Sequence, residues 1–260
     1  MIITKRCIIG IIGGTGKTGA QFAKLFRRLG YDVRVSGTAT RARNPAIIRS
    51  SDVVLFSLPL SRAAELMRAE LKTAKRKDQL MLDVSSLKCR EVDAMLTAKG
   101  EVIGMHPLFG PSTDPKGERI ILCPVRASAE TVLSLRRVLK RMGLKTIQMT
   151  AREHDSLMAT IQVLPHLKSL LMAELLCLQE HDLGKILTMC TPMYEMEFNI
   201  VGRFLDDHPD LYMPIIFRNP KTPAMLRQLK ALIDEYIRIA EQGDLAAAET
   251  GKIPDDIMAK

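Results

Sequence analysis

A chain of 260 residues with 47% hydrophobic residues has the apolar content for one large or two modest cores, which excludes a disordered chain. The net charge of +9 comes with only 4% aromatic residues and no Trp, so stacking platforms for bases are lacking; no nucleic-acid partner is expected, and anionic small molecules remain. The five cysteines (Cys7, Cys89, Cys123, Cys177, Cys190) lack CxxC spacing and read as buried thiols of a reducing compartment, without a metal; with no signal-peptide pattern, a cytoplasmic chain is expected.

Cys7 to Ile12 reads as a strand that ends in a glycine cluster, and Ala20 to Leu29 as a helix with Phe22, Leu25 and Phe26 on one face. Gly14, Gly16 and Gly19 fit G-x-G-x-x-G, a turn that lets a dinucleotide diphosphate approach a helix N-terminus. Gly14, Thr15, Gly16, Lys17, Thr18 and Gly19 are therefore candidate cofactor contacts. Gly16-Lys17-Thr18 also resembles the end of a P-loop, but that motif needs glycine where Ile11 stands, so a phosphotransferase is the weaker reading.

A second strand, Tyr31 to Val35, leads into Ser36, Thr38, Arg41 and Arg43, where an NAD site usually carries a carboxylate. Hydroxyls and arginines there favour a 2′-phosphate, hence NADP, with NAD still open; the alternative is a solvated basic loop. Asp52 to Leu58 and Leu80 to Val84 read as further strands, separated by a helix from Arg62 to Lys72, and the latter runs into Ser85-Ser86-Leu87-Lys88. Val102 to Met105 is the fifth strand and delivers His106 to the same sheet edge. Two glycines and two prolines in Gly104 to Pro111 predict a shaped loop that fixes the imidazole, suited to general-base work; a histidine merely satisfying a backbone carbonyl is the alternative.

Strands at Arg119 to Cys123 and Lys145 to Met149 flank a helix from Ala129 to Met142. The alternation defines an α/β chain, with an N-terminal Rossmann-type doubly wound sheet in residues 1–150 and an all-helical domain in 151–260. Glu153 to Glu180 reads as one long helix, apolar almost all round, that a second subunit would help to cover. Gln162, His166, Lys168 and Glu174 make it too polar for a membrane span, and Pro165 should kink it. Pro192 to Leu205, Leu211 to Phe217 and Pro223 to Gln242 read as helices; Arg203, amid apolar neighbours, calls for an anionic partner, structural or ligand.

Taken in order, these motifs resemble the prephenate/arogenate dehydrogenase family of tyrosine biosynthesis over nearly the whole chain. Asp83-Val84-Ser85-Ser86-Leu87-Lys88 is similar to its D-x-x-S-x-K segment, and Gly104 to Pro111 to its G-x-H-P-M-F-G-P signature, with Leu108 at the Met position. Glu153-His154-Asp155, Leu164-Pro165-His166, Thr191-Pro192-Met193-Tyr194 and Val201-Gly202-Arg203 follow in the family's order. The resemblance implies oxidative decarboxylation of prephenate or arogenate by a homodimer using NADP or NAD. His106 would be the base, with Ser86 and Lys88 beside it; Arg203 would bind the ring carboxylate and His166 line the same cleft. A dinucleotide-sensing protein of this fold without the chemistry is the alternative. Family members usually continue through a further helix after Gly243, so a different dimer interface or cleft lip is expected here.

Overall fold

A computed structural model describes residues 1–243 other than 39, 41, 42, 73, 75, 180, 181, 207 and 208. Two compact units are present, Met1–Asn219 and one beginning at Pro220. The first holds β1 (Ile8–Ile12), α1 (Lys17–Arg28), β2 (Asp32–Ser36), α2 (Asn44–Ser50), β3 (Val53–Phe56), α3 (Ala63–Leu71), β4 (Leu80–Asp83) and α4 (Cys89–Met95). It continues with β5 (Glu101–Pro107), β6 (Arg119–Arg126), α5 (Ala129–Arg141), β7 (Lys145–Gln148) and α6 (Ala151–Met158). A π-helical turn (Ala159–Val163), α7 (Leu164–Leu178), α8 (Leu183–Met189), α9 (Pro192–Asp206) and α10 (Pro209–Arg218) complete it. The second unit is α11 (Thr222–Gln242), which stops at Gly243 with φ of 65° and exposes Leu232, Ile233, Tyr236 and Ile237.

Seven strands form one sheet in the order β2-β1-β3-β4-β5-β6-β7. The first five run parallel, and their short apolar runs follow from burial on both faces. Alternation along each strand sends Ile9, Val53, Leu55, Leu82, Ile103 and Met105 to the core under α1 and α5. Ile12, Val54, Phe56, Met81 and Val102 go to the opposite core, with Met67 of α3 and Met95 of α4. Chain 108–118 between β5 and β6 carries no helix that could return it for a parallel pairing, so β6 runs antiparallel to β5. The doubly wound sheet thus has one reversed strand, which the sequence pattern does not announce. Helices α2, α4 and α8 are also absent from that pattern; at seven residues each they are too short for a 3.6-residue period to register.

Antiparallel pairing also changes the predicted loop around His106. Glycine at 104 and residues Met105, His106 and Pro107 lie inside β5, where His106 pairs with Ile121 and Pro107 with Ile120. Gly104 is not in the left-handed region. Its lack of a side chain serves close packing instead, because a Cβ there would stand 2.8 Å from Val92 Cγ1 and 3.1 Å from Lys88 Cδ. Only Cys123 among the cysteines is buried, and Cys177 is exposed, so the expectation of buried thiols holds at one position.

The long apolar helix is interrupted as Pro165 requires. A proline lacks the N–H for its intrahelical bond and crowds the carbonyl four residues earlier, here Ile161; the π-helical turn immediately before it takes up the mismatch. By length and composition the run Ala151–Leu178 is apolar enough to cross a bilayer, a test that helices of soluble proteins also pass. Its first turns are nevertheless tied to the sheet: Thr150 and Glu153 form a capping box that starts α6, and His154 and Asp155 are buried just behind it.

Gly104→Ala is expected to destabilise the protein by about 1–3 kcal/mol, because Val92 and the Lys88 stem must shift to admit a methyl group. Urea unfolding with an unchanged midpoint would show that the contact yields freely.

Candidate active site

The C-terminal ends of β4 and β5 are joined by an ion pair. Asp83 and Lys88 are fully buried, and the Asp83 carboxylate accepts bonds from Lys88 Nζ, from Ser85 N (2.9 Å) and from Met105 N (3.3 Å). Lys88 Nζ also donates to the Met105 carbonyl at 2.7 Å. Each charge is therefore met by hydrogen bonds as well as by its counterion, the condition under which burial of a pair is tolerated. The Lys88 amine, a candidate for the chemistry, is engaged in holding β5; it reaches His106 through its charge rather than through a hydrogen bond.

His106 follows Met105 and is 3% exposed. Its Nδ1 lies 2.9 Å from His154 Nε2, and His154 Nδ1 lies 2.8 Å from Asp155 Oδ1. Asp155 in turn accepts the backbone N–H of Lys88 (2.8 Å) and of Cys89 (2.9 Å), while Asn219 Nδ2 bonds the Asp155 carbonyl at 2.8 Å. The other nitrogen of His106, Nε2, is 3.4 Å from Gln162 Nε2, a long contact, and Gln162 Oε1 is buried without a partner. Gln162 sits in the π-helical turn, so the distortion that Pro165 imposes also aims an amide at the imidazole. Ser85 Oγ is a second buried polar atom without a partner. No sequence motif pointed to Gln162 or Asn219; their place depends on the π-helical turn and on the end of α10.

Burial holds His106 well below the usual imidazole range, and the neighbouring His154 and Lys88 push it the same way. Burial likewise lowers His154, against the opposing pull of the Asp155 carboxylate. Burial would raise Asp155, but the bonds from His154 and from two backbone N–H groups prevail and hold it below its ordinary value. Cys89 and Cys123 are pushed up to about 12, chiefly by burial, so neither serves as a thiolate nucleophile.

The remaining candidates fall at other places in the same unit. Ser86 is half-buried, and its side chain has no hydrogen-bond partner among the described residues. His166 is half-buried, with its ring centroid 4.5 Å from Tyr212 and 6.1 Å from Phe204. Tyr212 also packs on the cluster of Leu60, Leu87 and Ile215, which brings α10 against the segment that carries Ser86. Arg203, next to Phe204, is exposed, as are its neighbours Ile200 and Leu205. Burial therefore does not force a partner on it, contrary to the inference from its apolar neighbours, and it makes no ion pair among the described residues.

The other candidate contacts surround the start of α1. Gly16 is the N-cap without a side-chain cap, no acidic residue occupies the first turn, and Thr15, Gly16 and Lys17 are exposed. Gly14 and Gly19 are buried and Thr18 half-buried; a Cβ on Gly19 would stand 2.4 Å from the Gly13 carbonyl. Uncapped N–H groups at a positive helix end fit a diphosphate. Gly10, the glycine a P-loop would have to use, lies inside β1, which removes the phosphotransferase reading. Ser36 O accepts Gly13 N and Gly14 N, both at 2.9 Å, and its hydroxyl donates to Asn44 Oδ1 at 2.8 Å; Ser36 thus shapes the loop from beneath. Thr38 and Arg43 are exposed beyond β2, and Arg41 lies outside the described residues.

A glycine turn between β1 and an uncapped α1, on a mainly parallel sheet followed by helices, defines a Rossmann-type nucleotide-binding domain with a helical partner. The chain belongs to the prephenate dehydrogenase family. Residues 29–148 match its nucleotide-binding domain and residues 150–247 its dimerization domain. The T-protein of Haemophilus influenzae is 29% identical over 237 residues, covering 91% of this chain and 63% of the relative, so the chain spans less than two thirds of that protein. Among solved structures, Synechocystis arogenate dehydrogenase superposes with a TM-score of 0.72 at 16% identity, covering 94% of this chain and 95% of that one. Prephenate dehydrogenase from Aquifex aeolicus, in complex with hydroxyphenyl propionate and NAD+, gives 0.68 at 19% identity, with 95% and 96% covered.

The titrations set the pH dependence of stability. His106, His154 and His166 are all lowered from 6.5, so the unfolded chain binds more protons than the folded one below about 6.5, and stability is lost as pH falls through that window. Glu91, 2% exposed with Oε2 unpartnered, runs the other way: burial raises it from 4.5 to about 7, so its contribution is lost as pH rises through that range. Glu91→Gln should therefore steepen the rise in stability between about pH 5 and 7, and at pH 8 should stabilise the protein by up to about 3 kcal/mol. Urea midpoints across this range test both slopes, and no gain at pH 8 would mean that Glu91 carries no ionisation cost.

Proposed function

We propose that the chain catalyses oxidative decarboxylation of a cyclohexadienyl substrate, prephenate or arogenate, with NADP preferred over NAD. The observation that carries the reading is His106, buried, kept neutral and bonded through Nδ1, with Nε2 met only by the long contact to Gln162. The substrate's ring hydroxyl takes the place of the Gln162 amide at Nε2 and gives up its proton there. The hydroxyl-bearing ring carbon loses its hydrogen as hydride, and the carbon–carbon bond to the ring carboxylate breaks with release of carbon dioxide. The electron pair of that bond enters the ring, and aromatisation drives the step; the phenolate oxygen of the product then takes the proton back from Nε2. A nicotinamide dinucleotide, when bound at the Gly14–Gly19 turn, supplies the hydride acceptor. Arg203 binds the ring carboxylate, His166 lines the same site from beside Tyr212, and Ser86 orients the hydroxyl. Lys88 positions β5, and its charge adds to burial and to the neighbouring His154 in keeping His106 unprotonated. The unpartnered Ser85 Oγ and Gln162 Oε1 are polar atoms that a ligand would satisfy.

Two features support the cofactor and assembly assignments. The end of β2 offers Thr38 and Arg43 and no carboxylate, which suits a 2′-phosphate. Leu187, Met189, Met193, Met196 and Ile200 are exposed on α8 and α9, beside a cavity of about 760 Å³; a second copy covers them in a homodimer. The dinucleotide-sensing alternative gives no reason for a buried pair of histidines anchored on Asp155, since sensing requires no base.

Production of reduced nicotinamide from prephenate and from arogenate, each with NAD and NADP, is the direct test; no turnover with any of the four pairs by folded protein would sink the reading. His106→Asn should lower kcat by about 10²- to 10⁴-fold while dinucleotide affinity stays within about twofold. Arg43→Ala should weaken NADP at least about tenfold more than NAD, as loss of one charge-assisted phosphate contact requires; equal losses would remove Arg43 from 2′-phosphate recognition.

A further inference from the structure

The chain from Gln162 through His106 and His154 to Asp155 admits one consistent proton assignment at neutral pH. Asp155 is ionised and can only accept, so His154 carries its proton on Nδ1. His154 is neutral, so its Nε2 is bare and must accept from His106 Nδ1–H at 2.9 Å. A neutral His106 with its proton on Nδ1 has a bare Nε2, which meets the donor end of the Gln162 amide. We propose that His154, anchored on Asp155, is the positioning residue that fixes His106 in its base-competent tautomer and receives the proton His106 takes up; this rests on the function proposed above.

The step balances as two linked transfers. The substrate O–H bond breaks as the Nε2–H bond of His106 forms. The Nδ1–H of His106 then moves to His154 Nε2. His106 ends neutral in the opposite tautomer, and His154 ends as an imidazolium against the Asp155 carboxylate. No charge is left on His106, where burial and the Lys88 ammonium oppose it. The proton returns by the same route to the phenolate oxygen that aromatisation leaves on the product, so the phenol departs with both rings reset.

The same geometry contains an off state. With His154 protonated beforehand, its Nε2–H becomes a donor, His106 must accept at Nδ1, and the His106 proton moves to Nε2. A donor then replaces the acceptor that the substrate hydroxyl requires. One proton on the neighbour thus disables the base without charging it. The charged groups that act on the pair are Asp155 on α6, Asp83 at the end of β4 and Lys88 at α4; Glu91 on α4 and Cys123 on β6 interact with those three groups in turn. The pH at which activity fails on the acid side therefore belongs to the coupled pair rather than to His106.

Nitrogen-15 NMR of histidine-labelled full-length protein without substrate tests the assignment directly, with the His106 signals identified by their loss in His106→Asn. Both His106 and His154 should be Nδ1-protonated near pH 7.5, and His106 should pass to the Nε2–H form as His154 titrates. An Nε2–H tautomer of His106 at neutral pH overturns the proposal, whether or not the protein turns over a cyclohexadienyl substrate. His154→Phe, which keeps a ring but no acceptor, should release His106 into mixed tautomers. It should also lower kcat at least about tenfold, leave KM and dinucleotide affinity within about twofold, and abolish the acid limb of the wild-type pH profile. An unchanged tautomer and an unchanged profile in that variant overturn the proposal. If His154→Phe does not fold, the wild-type spectrum decides alone. Failure of wild-type turnover with correct tautomers instead overturns the assigned reaction and leaves only the tautomer-fixing role of His154 standing.

Discussion

The carboxylate of Asp155 is the constraint on which the rest of the site depends. Its two oxygens accept the backbone N–H groups of Lys88 and Cys89, at the start of a helix whose own N-cap, Lys88, provides no side-chain cap. The same carboxylate takes the Nδ1 proton of His154. One buried charge therefore satisfies orphan donors of α4, docks α6 on the sheet, and fixes the ring next to His106. Its burial is costly, and the bonds that offset the cost are those that assemble the site.

A second buried charge pair acts from the opposite side. Asp83 and Lys88 lie between the ends of β4 and β5, and both bond the backbone of Met105. His106 is the next residue, so its backbone position follows from the pair. Gly104 completes the fit, because the Lys88 stem and Val92 occupy the space a side chain would need. The two carboxylates thus act on one imidazole by different routes, Asp83 through the strand and Asp155 through a second ring. This separation keeps negative charge out of direct contact with His106 and leaves the ring neutral, the form in which it can accept a proton.

Much of this was legible in the chain. Strand periodicity, the Gly14–Gly19 spacing and the segments ending at Ser86, Lys88 and His106 placed these residues at one sheet edge, because β-runs and glycine turns are written in local sequence. The Glu153-His154-Asp155 motif was visible, but not its purpose. Its partners lie on β5 and α4, and a bond between residues 48 apart leaves no local trace. The reversal of β6 was hidden for a similar reason: the apolar pattern of a buried strand is the same in either direction. Pro165 announced a disturbance, while the amide of Gln162 as its product required the turn itself. Arg203 is exposed although its sequence neighbours are apolar, because apolar neighbours in sequence do not guarantee burial in space.

By itself the sequence determined the elements of the α/β domain, the helical region after it, and the residue types available for proton and anion chemistry. Tertiary structure decided which of those residues touch and in which protonation state they do so. The physical reason is that helices and strands follow from steric and apolar periodicity over a few neighbouring residues, whereas a tautomer is set by the donors and acceptors that surround a ring. Those come to His106 from α6 and the π-helical turn, and only folding brings them within hydrogen-bond reach.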